Sequence, residues 1–269
     1  MTAASSLASN PATLASPRAL PLLTLFLTER CNSRCVSCDY WRTGKQDLDL
    51  ESVVRLLPDL RELGTRLILF SGGEPMVNPQ WQAIAALLRS QGIRLWLLTS
   101  GLSLAKHADE ATTLFESITV SLDGASASSY LAIRGLDAFD TVCRGIRLAA
   151  ARVHTTIRVT VQRANYREMP QLVNLARELG AAQISFLAAD VSTTTTFGRH
   201  ARPEQSIALR SDDLPHFNSV LESLGQSHAD DFASGFIAEK PRKLRRLLQY
   251  YSALRGHGEF PAVRCNAPE

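Results

Sequence analysis

Two kinds of apolar pattern alternate along the chain. Short runs dense in Leu, Ile, Val and Phe are separated by longer stretches whose apolar positions recur every three or four residues. The first kind reads as strand and the second as amphipathic helix. Strands are predicted at LPLLTLFLT (20–28), RLILF (66–70), IRLWLLT (93–99), ITVSL (118–122), TIRVTVQ (156–162) and QISFLAA (183–189). Helical spacing falls at LESVVRLLPDLRELG (50–64), WQAIAALLRSQG (81–92), HADEATTLFES (107–117), FDTVCRGIRLAAARV (139–153) and MPQLVNLARELG (169–180). The last of these has Pro near its start and Gly at its end, the usual asymmetry of a helix.

About six strand-then-helix units between residues 20 and 210 imply an α/β fold with a parallel sheet, because parallel neighbours need a crossover and a helix is the usual one. The apolar density predicts strands buried on both faces. Six units suit an open, partial (β/α)6 barrel better than a closed eight-fold one, although a flat doubly wound sheet has the same alternation. Residues 190–269 leave the repeat. DVSTTTTFGRHARPEQ (190–205) reads as a polar loop over the open edge, and FIAEKPRKLRRLLQYYSAL (236–254) as one or two helices with a break at Pro241. The expected organisation is a mobile Ala-, Ser- and Pro-rich tail (1–19), a core (20–210) and a short helical C-terminal extension (211–269).

Composition narrows this only a little. Of the 269 residues, 45% are hydrophobic and 20% charged, as in an ordinary soluble domain. A net charge of +3 gives no ground for a nucleic-acid partner. The basic run KPRKLRR (240–246) reads as the solvated face of a helix. No run of roughly 18 apolar residues offers a membrane span. The first 20 residues lack the basic start and long apolar core of a signal peptide. The expectation is a cytoplasmic protein with neither nucleic acid nor membrane as partner.

Chemistry collects just after the strands. CNSRC (31–35) follows the first, SGGEP (71–75) the second, TSG (99–101) the third and DG (123–124) the fourth. These positions share the C-terminal edge of a parallel sheet, where such folds bind ligands. Three of the five cysteines, Cys31, Cys35 and Cys38, lie within eight positions. An odd count and this crowding argue against a disulfide framework and for metal chemistry in a reducing compartment. Thiolates suit zinc or iron–sulfur clusters, yet closed zinc sites and ordinary clusters both want four ligands. Cys143 reads as a buried thiol of an amphipathic helix, and Cys265 stands at the far end of the chain. Two readings stay open: a three-thiolate centre with one coordination position free for chemistry, or a structural zinc knuckle completed by a His or a distant Cys.

Gly72 and Gly73 would let the main chain approach a ligand, with Glu74 as an acceptor for an ammonium group and Pro75 fixing the exit. The same residues also make an ordinary strand-to-helix turn. Ser121, if it faces the ligand edge, can bond a ribose or a carboxylate. Asp123 can bond ribose hydroxyls or cap the next helix. No histidine, acid or base stands out as a catalytic residue.

The C-x3-C-x2-C spacing after a first strand, SGGEP at the end of the next, SLDG (121–124) and IRG (133–135) together resemble the radical S-adenosylmethionine (SAM) superfamily, over roughly residues 20–190. The resemblance implies a partial barrel in which Cys31, Cys35 and Cys38 hold three irons of a [4Fe-4S] cluster and SAM binds the fourth. It implies that the segment of Gly72, Gly73 and Glu74 binds the SAM amino group, that Ser121 and Asp123 contact SAM, and that Arg134 pairs with the SAM carboxylate. An external one-electron reductant of flavodoxin or ferredoxin type would then drive cleavage of SAM to methionine and a 5′-deoxyadenosyl radical. The radical would take a hydrogen from a peptide or small-molecule substrate. Two departures stand out. Relatives carry an aromatic residue just before the third cysteine, where this chain has Ser37 followed later by Tyr40 and Trp41. Ser100 occupies a position where relatives often carry Asn. Cys265, in CNAP, resembles the start of a SPASM or twitch domain; either the resemblance implies an extension cut short, or Cys265 is an incidental terminal thiol. Two other classes accommodate the cysteines alone: a structural zinc domain, and an iron–sulfur electron-transfer protein that never cleaves SAM.

Overall fold

Six strands form one parallel sheet in which neighbours in space are neighbours in sequence. The computed structural model describes residues 19–191, 197 and 206–260. The strands are β1 (Leu22–Thr28), β2 (Leu67–Gly72), β3 (Arg94–Thr99), β4 (Ser117–Ser121), β5 (His154–Val161) and β6 (Gln183–Ala188). The helices are α1 (Tyr40–Thr43), α2 (Leu50–Glu62), α3 (Trp81–Ser90), α4 (Ala108–Leu114), α5 (Ala127–Arg134), α6 (Phe139–Ala150), α7 (Met169–Glu178), α8 (Leu214–Ser227), α9 (Ala229–Ser234) and α10 (Pro241–Leu254). The order β1-β2-β3-β4-β5-β6 has no switch point, so the sheet is the partial barrel and not the doubly wound alternative.

The two faces of the sheet differ. Ile68, Phe70, Leu95, Leu97, Ile118, Val120, Ile157 and Val159 are at most 1% exposed, and share one core with Ile84, Leu88, Val142, Ile146 and Leu172 of α3, α6 and α7. Each such side chain contributes about 1.5–3 kcal/mol on burial. The alternate positions Leu69, Trp96, Leu98, Thr119 and Arg158 are half-buried and line a cavity of about 560 Å³. The expectation of strands buried on both faces is therefore corrected. Successive crossovers put their helices on one side, and the sheet curls around an inner face that keeps its space.

Most predicted elements fall within a few residues of those observed. Strand β2 runs two residues beyond RLILF, because Ser71 and Gly72 still pair with Phe26 and Thr28. Helices α5, α8 and α9 were not predicted individually. Residues 236–240 are not helical: Ile184 N donates to Phe236 O and Ala238 N to Ile184 O, both at 2.8 Å, which adds a short parallel bridge beside β6. Pro241 opens α10 instead of breaking it, since the first turn has no use for its missing N–H. The tail 1–18, most of the loop 190–205 and Cys265 lie outside the described residues. No helix among the described residues is long and apolar enough to cross a membrane.

The end of the described chain is tied to the sheet by buried polar groups. Tyr251 of α10 donates its hydroxyl to Val161 O (2.5 Å) and accepts from Ala189 N (2.9 Å). Glu239 accepts from Ser185 Oγ and from Phe186 N, both at 2.9 Å. Tyr251→Phe would remove both bonds and leave Ala189 N and Val161 O only the 3.1 Å bond they make to each other. It should cost about 1–3 kcal/mol in urea unfolding; an unchanged midpoint would mean that α10 is held by packing alone.

Candidate active site

The loop between β1 and α1 carries the three cysteines, and the rest of the fold holds it by its main chain. Arg34 N and Val36 N donate to Arg134 O and Ile133 O, each at 3.0 Å. The last carbonyls of a helix have no partner inside it. Here the cysteine loop supplies partners for α5, and α5 fixes the loop in return. Ser33, 1% exposed, directs its hydroxyl to Cys35 Sγ (3.1 Å). The indole of Trp41 donates to Cys35 O (3.4 Å).

Cys31, Cys35 and Cys38 are in no disulfide and line one pocket of about 170 Å³. Burial pushes the Cys31 thiol up to about 12, against the Ser33 amide and with the Glu74 carboxylate adding to the rise. Among the described residues no three His, Cys, Asp or Glu side chains form a group that could hold a metal ion. The sulfurs instead border a shared space. Three soft donors around such a space fit an iron–sulfur cluster with a position left for another ligand.

Ser71, Gly72 and Gly73 of SGGEP line the same pocket as the cysteines. Gly72, with φ +120°, and Gly73 both line the pocket, but packing within the chain explains their lack of a side chain. A Cβ on Gly72 would lie 2.3 Å from Thr28 O, and one on Gly73 2.2 Å from Arg30 O. The turn is drawn that close by Gly73 N donating to Thr28 O (2.7 Å) and Glu74 N to Arg30 O (2.9 Å). Glu74 is not part of the pocket wall. It is fully buried, with Oε1 accepting from Thr99 Oγ1 (2.7 Å) and Met76 N (3.3 Å), and Oε2 from Ser100 N (2.6 Å). Burial raises its pKa against those bonds. Its carboxylate joins the end of β2 to the end of β3.

Ser121, Asp123 and Arg134 all line the pocket. Asp123 caps nothing, since Ser126 makes the capping box of α5. Its Oδ1 accepts from Thr160 N (2.6 Å), and its Oδ2 lies 2.9 Å from Arg134 Nε in a contact that is ionic more than a well-aligned hydrogen bond. Arg134 also donates from Nη1 to Cys35 Sγ (3.1 Å). Burial alone would lower the Arg134 pKa, but Asp123 and Cys35 hold it above the ordinary value. The guanidinium that the resemblance assigns to the SAM carboxylate also holds Asp123 and Cys35 within the chain.

The pocket also contains residues that the sequence did not single out. Thr160 extends the inner face of β5 into it, and Phe197 closes one side. Phe197 O accepts from Asp39 N (2.9 Å) and from the Cys38 thiol. Tyr40 lines the pocket, whereas Trp41 does not. The alternation of TIRVTVQ is the signal that could have marked Thr160; the polar run around residue 197 holds none for Phe197.

A sequence profile described as the Radical SAM superfamily matches residues 25–176. Fe-coproporphyrin III synthase of Methanosarcina barkeri is 30% identical over 176 residues, covering 62% of this chain and 43% of that one. PqqA peptide cyclase of Gluconobacter oxydans is 26% identical over 226 residues, 80% of this chain and 62% of that one. The chain thus spans less than two thirds of either relative. Streptococcus suis SuiB, in a crystal structure with its precursor peptide SuiA, superposes with a TM-score of 0.63 at 14% identity, over 79% of this chain and 47% of that one. Coproporphyrinogen III oxidase (HemN) of Escherichia coli gives 0.52, also at 14% identity, over 81% and 53%. These two likenesses concern the fold.

Arg134→Ala would leave the Asp123 carboxylate buried without its counter-charge and remove a donor to Cys35. A loss of about 3 kcal/mol or more in chemical denaturation is expected. Arg134→Lys should recover only part of it, because one ammonium replaces a planar fork. Full stability in the alanine variant would refute the assignment.

Proposed function

Because the chain belongs to the radical SAM superfamily, enzymes that work with a [4Fe-4S] cluster and SAM, we propose that Cys31, Cys35 and Cys38 ligate that cluster and that the pocket around them binds SAM for reductive cleavage. The observation that carries this reading is a convergence: the three cysteines, Gly72, Gly73 and Ser121 border one pocket at the C-terminal edge of the sheet. When bound and reduced by an external donor of flavodoxin or ferredoxin type, the cluster supplies the electron that splits the C5′–S bond of SAM into methionine and a 5′-deoxyadenosyl radical.

The chain's residues bind, orient and exclude water. Gly72 and Gly73 offer main chain to the methionine end of SAM, while Glu74, buried behind them, keeps the turn in shape. Ser121 offers a hydroxyl to the ribose or the carboxylate. Asp123 and Arg134 secure Cys35. Tyr40 and Phe197 provide aromatic surface where Ser37 provides none. Leu98 borders both this pocket and the inner cavity of the sheet, so a substrate in that cavity lies next to bound SAM. Hydrogen abstraction from that substrate is the reaction proposed. A peptide substrate is supported by the likeness to a peptide cyclase and to SuiB with its precursor peptide; a small-molecule substrate is supported by the likeness to Fe-coproporphyrin III synthase.

Anaerobic reconstitution with iron and sulfide, dithionite reduction and addition of SAM should yield 5′-deoxyadenosine by mass spectrometry. Cys35→Ala should lose the brown chromophore and drop product to background. A colourless parent with stoichiometric zinc and no product would favour the structural-site reading. A loaded cluster without product would favour electron transfer without SAM cleavage.

A further inference from the structure

Arg158 is an unusual residue for the interior of a sheet. It pairs in register with Ser121 on β4 and with Ser185 on β6, so the three side chains share the inner face. Ser121 borders the cofactor pocket. The guanidinium therefore stands one strand away from that pocket, at the same level of the sheet. Its Nε is closed off from solvent and has no hydrogen-bond partner, and the side chain makes no ion pair among the described residues.

Arg158 faces a second cavity, of about 630 Å³, between the inner face and α10. Lys243 and Arg246 of α10 line it as well. The basic run first read as a solvated face thus turns two of its cations toward this space. Neither is in an ion pair among the described residues; Arg246 lies 5.6 Å from the ring centre of Phe260. Two carboxylates border the cavity, Glu239 and Asp190. Glu239 is 7% exposed, and its oxygens are engaged by Ser185 and Phe186 N. Asp190 makes no ion pair with any of the three cations, though it has another partner. Among the described residues the three cations thus have no counter-charge in contact, and they stand beside apolar surface from Leu187 and Tyr250.

We propose that this cavity is the part of the substrate site that recognises a carboxylate-bearing substrate, with Arg158 fixing one carboxylate beside bound SAM and Lys243 assisting from α10. The planar fork of an arginine matches a carboxylate, and a half-buried setting strengthens that bond. The apolar wall suits an organic acid. That the ligand is the substrate rests on the radical SAM reading; that the cavity takes a carboxylate does not.

Benzene-1,3,5-tricarboxylate is the probe, titrated calorimetrically into the full chain reconstituted with cluster and SAM. Saturable binding is expected, weakened about tenfold or more in both Arg158→Gln and Lys243→Gln, and restored in part by Arg158→Lys. Inorganic phosphate at equal concentration should not displace the probe. No binding to the parent, equal affinity in Lys243→Gln, or displacement by phosphate would each overturn the assignment. Lys243 lies on an exposed part of α10, so its variant decides the matter even if Arg158→Gln fails to fold. Substrate-free formation of 5′-deoxyadenosine by the parent, measured in parallel, separates the two claims. Probe binding without that product removes the reaction and leaves the cavity's ligand; product without probe binding does the reverse.

Discussion

Arg134 stands where three segments of the chain have to meet. Its guanidinium lies against Asp123 at the exit of β4, reaches Cys35 in the loop after β1, and belongs to the last turn of α5. The cysteine loop has no strand or helix of its own around its first two thiols. What positions it is the end of α5, whose carbonyls take the loop's amides, together with the charge at its last residue. Burying an arginine and an aspartate is expensive unless each satisfies the other. A hydrophobic pair would pack as well, but could not give the loop a cation against the Cys35 sulfur. The ion pair is therefore the point at which fold stability and the placing of the cysteine loop become one requirement.

The second organising constraint is parity. Along β2 to β6 one set of side chains enters the helix-covered core and the other set lines the inner cavity. In β5, Ile157, Val159 and Val161 are buried, while Arg158 and Thr160 are on the other face. A register slip of one residue would exchange the two sets, burying a guanidinium among aliphatic side chains and emptying the cavity of polar groups. The apolar half of the pattern thus protects the arrangement of the polar half.

This division explains what could be read from the sequence. Strands and long helices were legible because their periods differ, and the partial barrel followed from counting their alternation. The cysteine spacing and the polar clusters after the strands identified the edge where they meet. Individual roles were less legible, because they depend on which neighbour arrives first. Gly72 and Gly73 read as clearance for a ligand, yet Thr28 and Arg30 already require them. Glu74 read as a ligand acceptor, yet it is enclosed by the end of β3. Arg158 sits in a run whose apolar density reads as buried on both faces, although the alternation of TIRVTVQ sets it apart. Short helices such as α5 carry too few apolar positions to show a period, and Phe197 arrives from a segment with none.

The last described helix brings the two halves of the site together. Tyr251 and Glu239 bind the C-terminal region to β5 and β6 through buried hydrogen bonds. The helix so fixed turns Lys243 and Arg246 toward the cavity beside the cofactor pocket. The sulfurs and glycines proposed to hold the cluster and SAM lie in loops of the first two strands, with Thr160 of β5 and Phe197 completing the pocket. The charges that would choose a substrate come from β5 and from a helix added after the sheet is complete. A fold divided in this way can keep its cofactor pocket constant while the cavity's charge is rewritten in one strand and one helix, because the residues of the two sets meet at little more than Leu98.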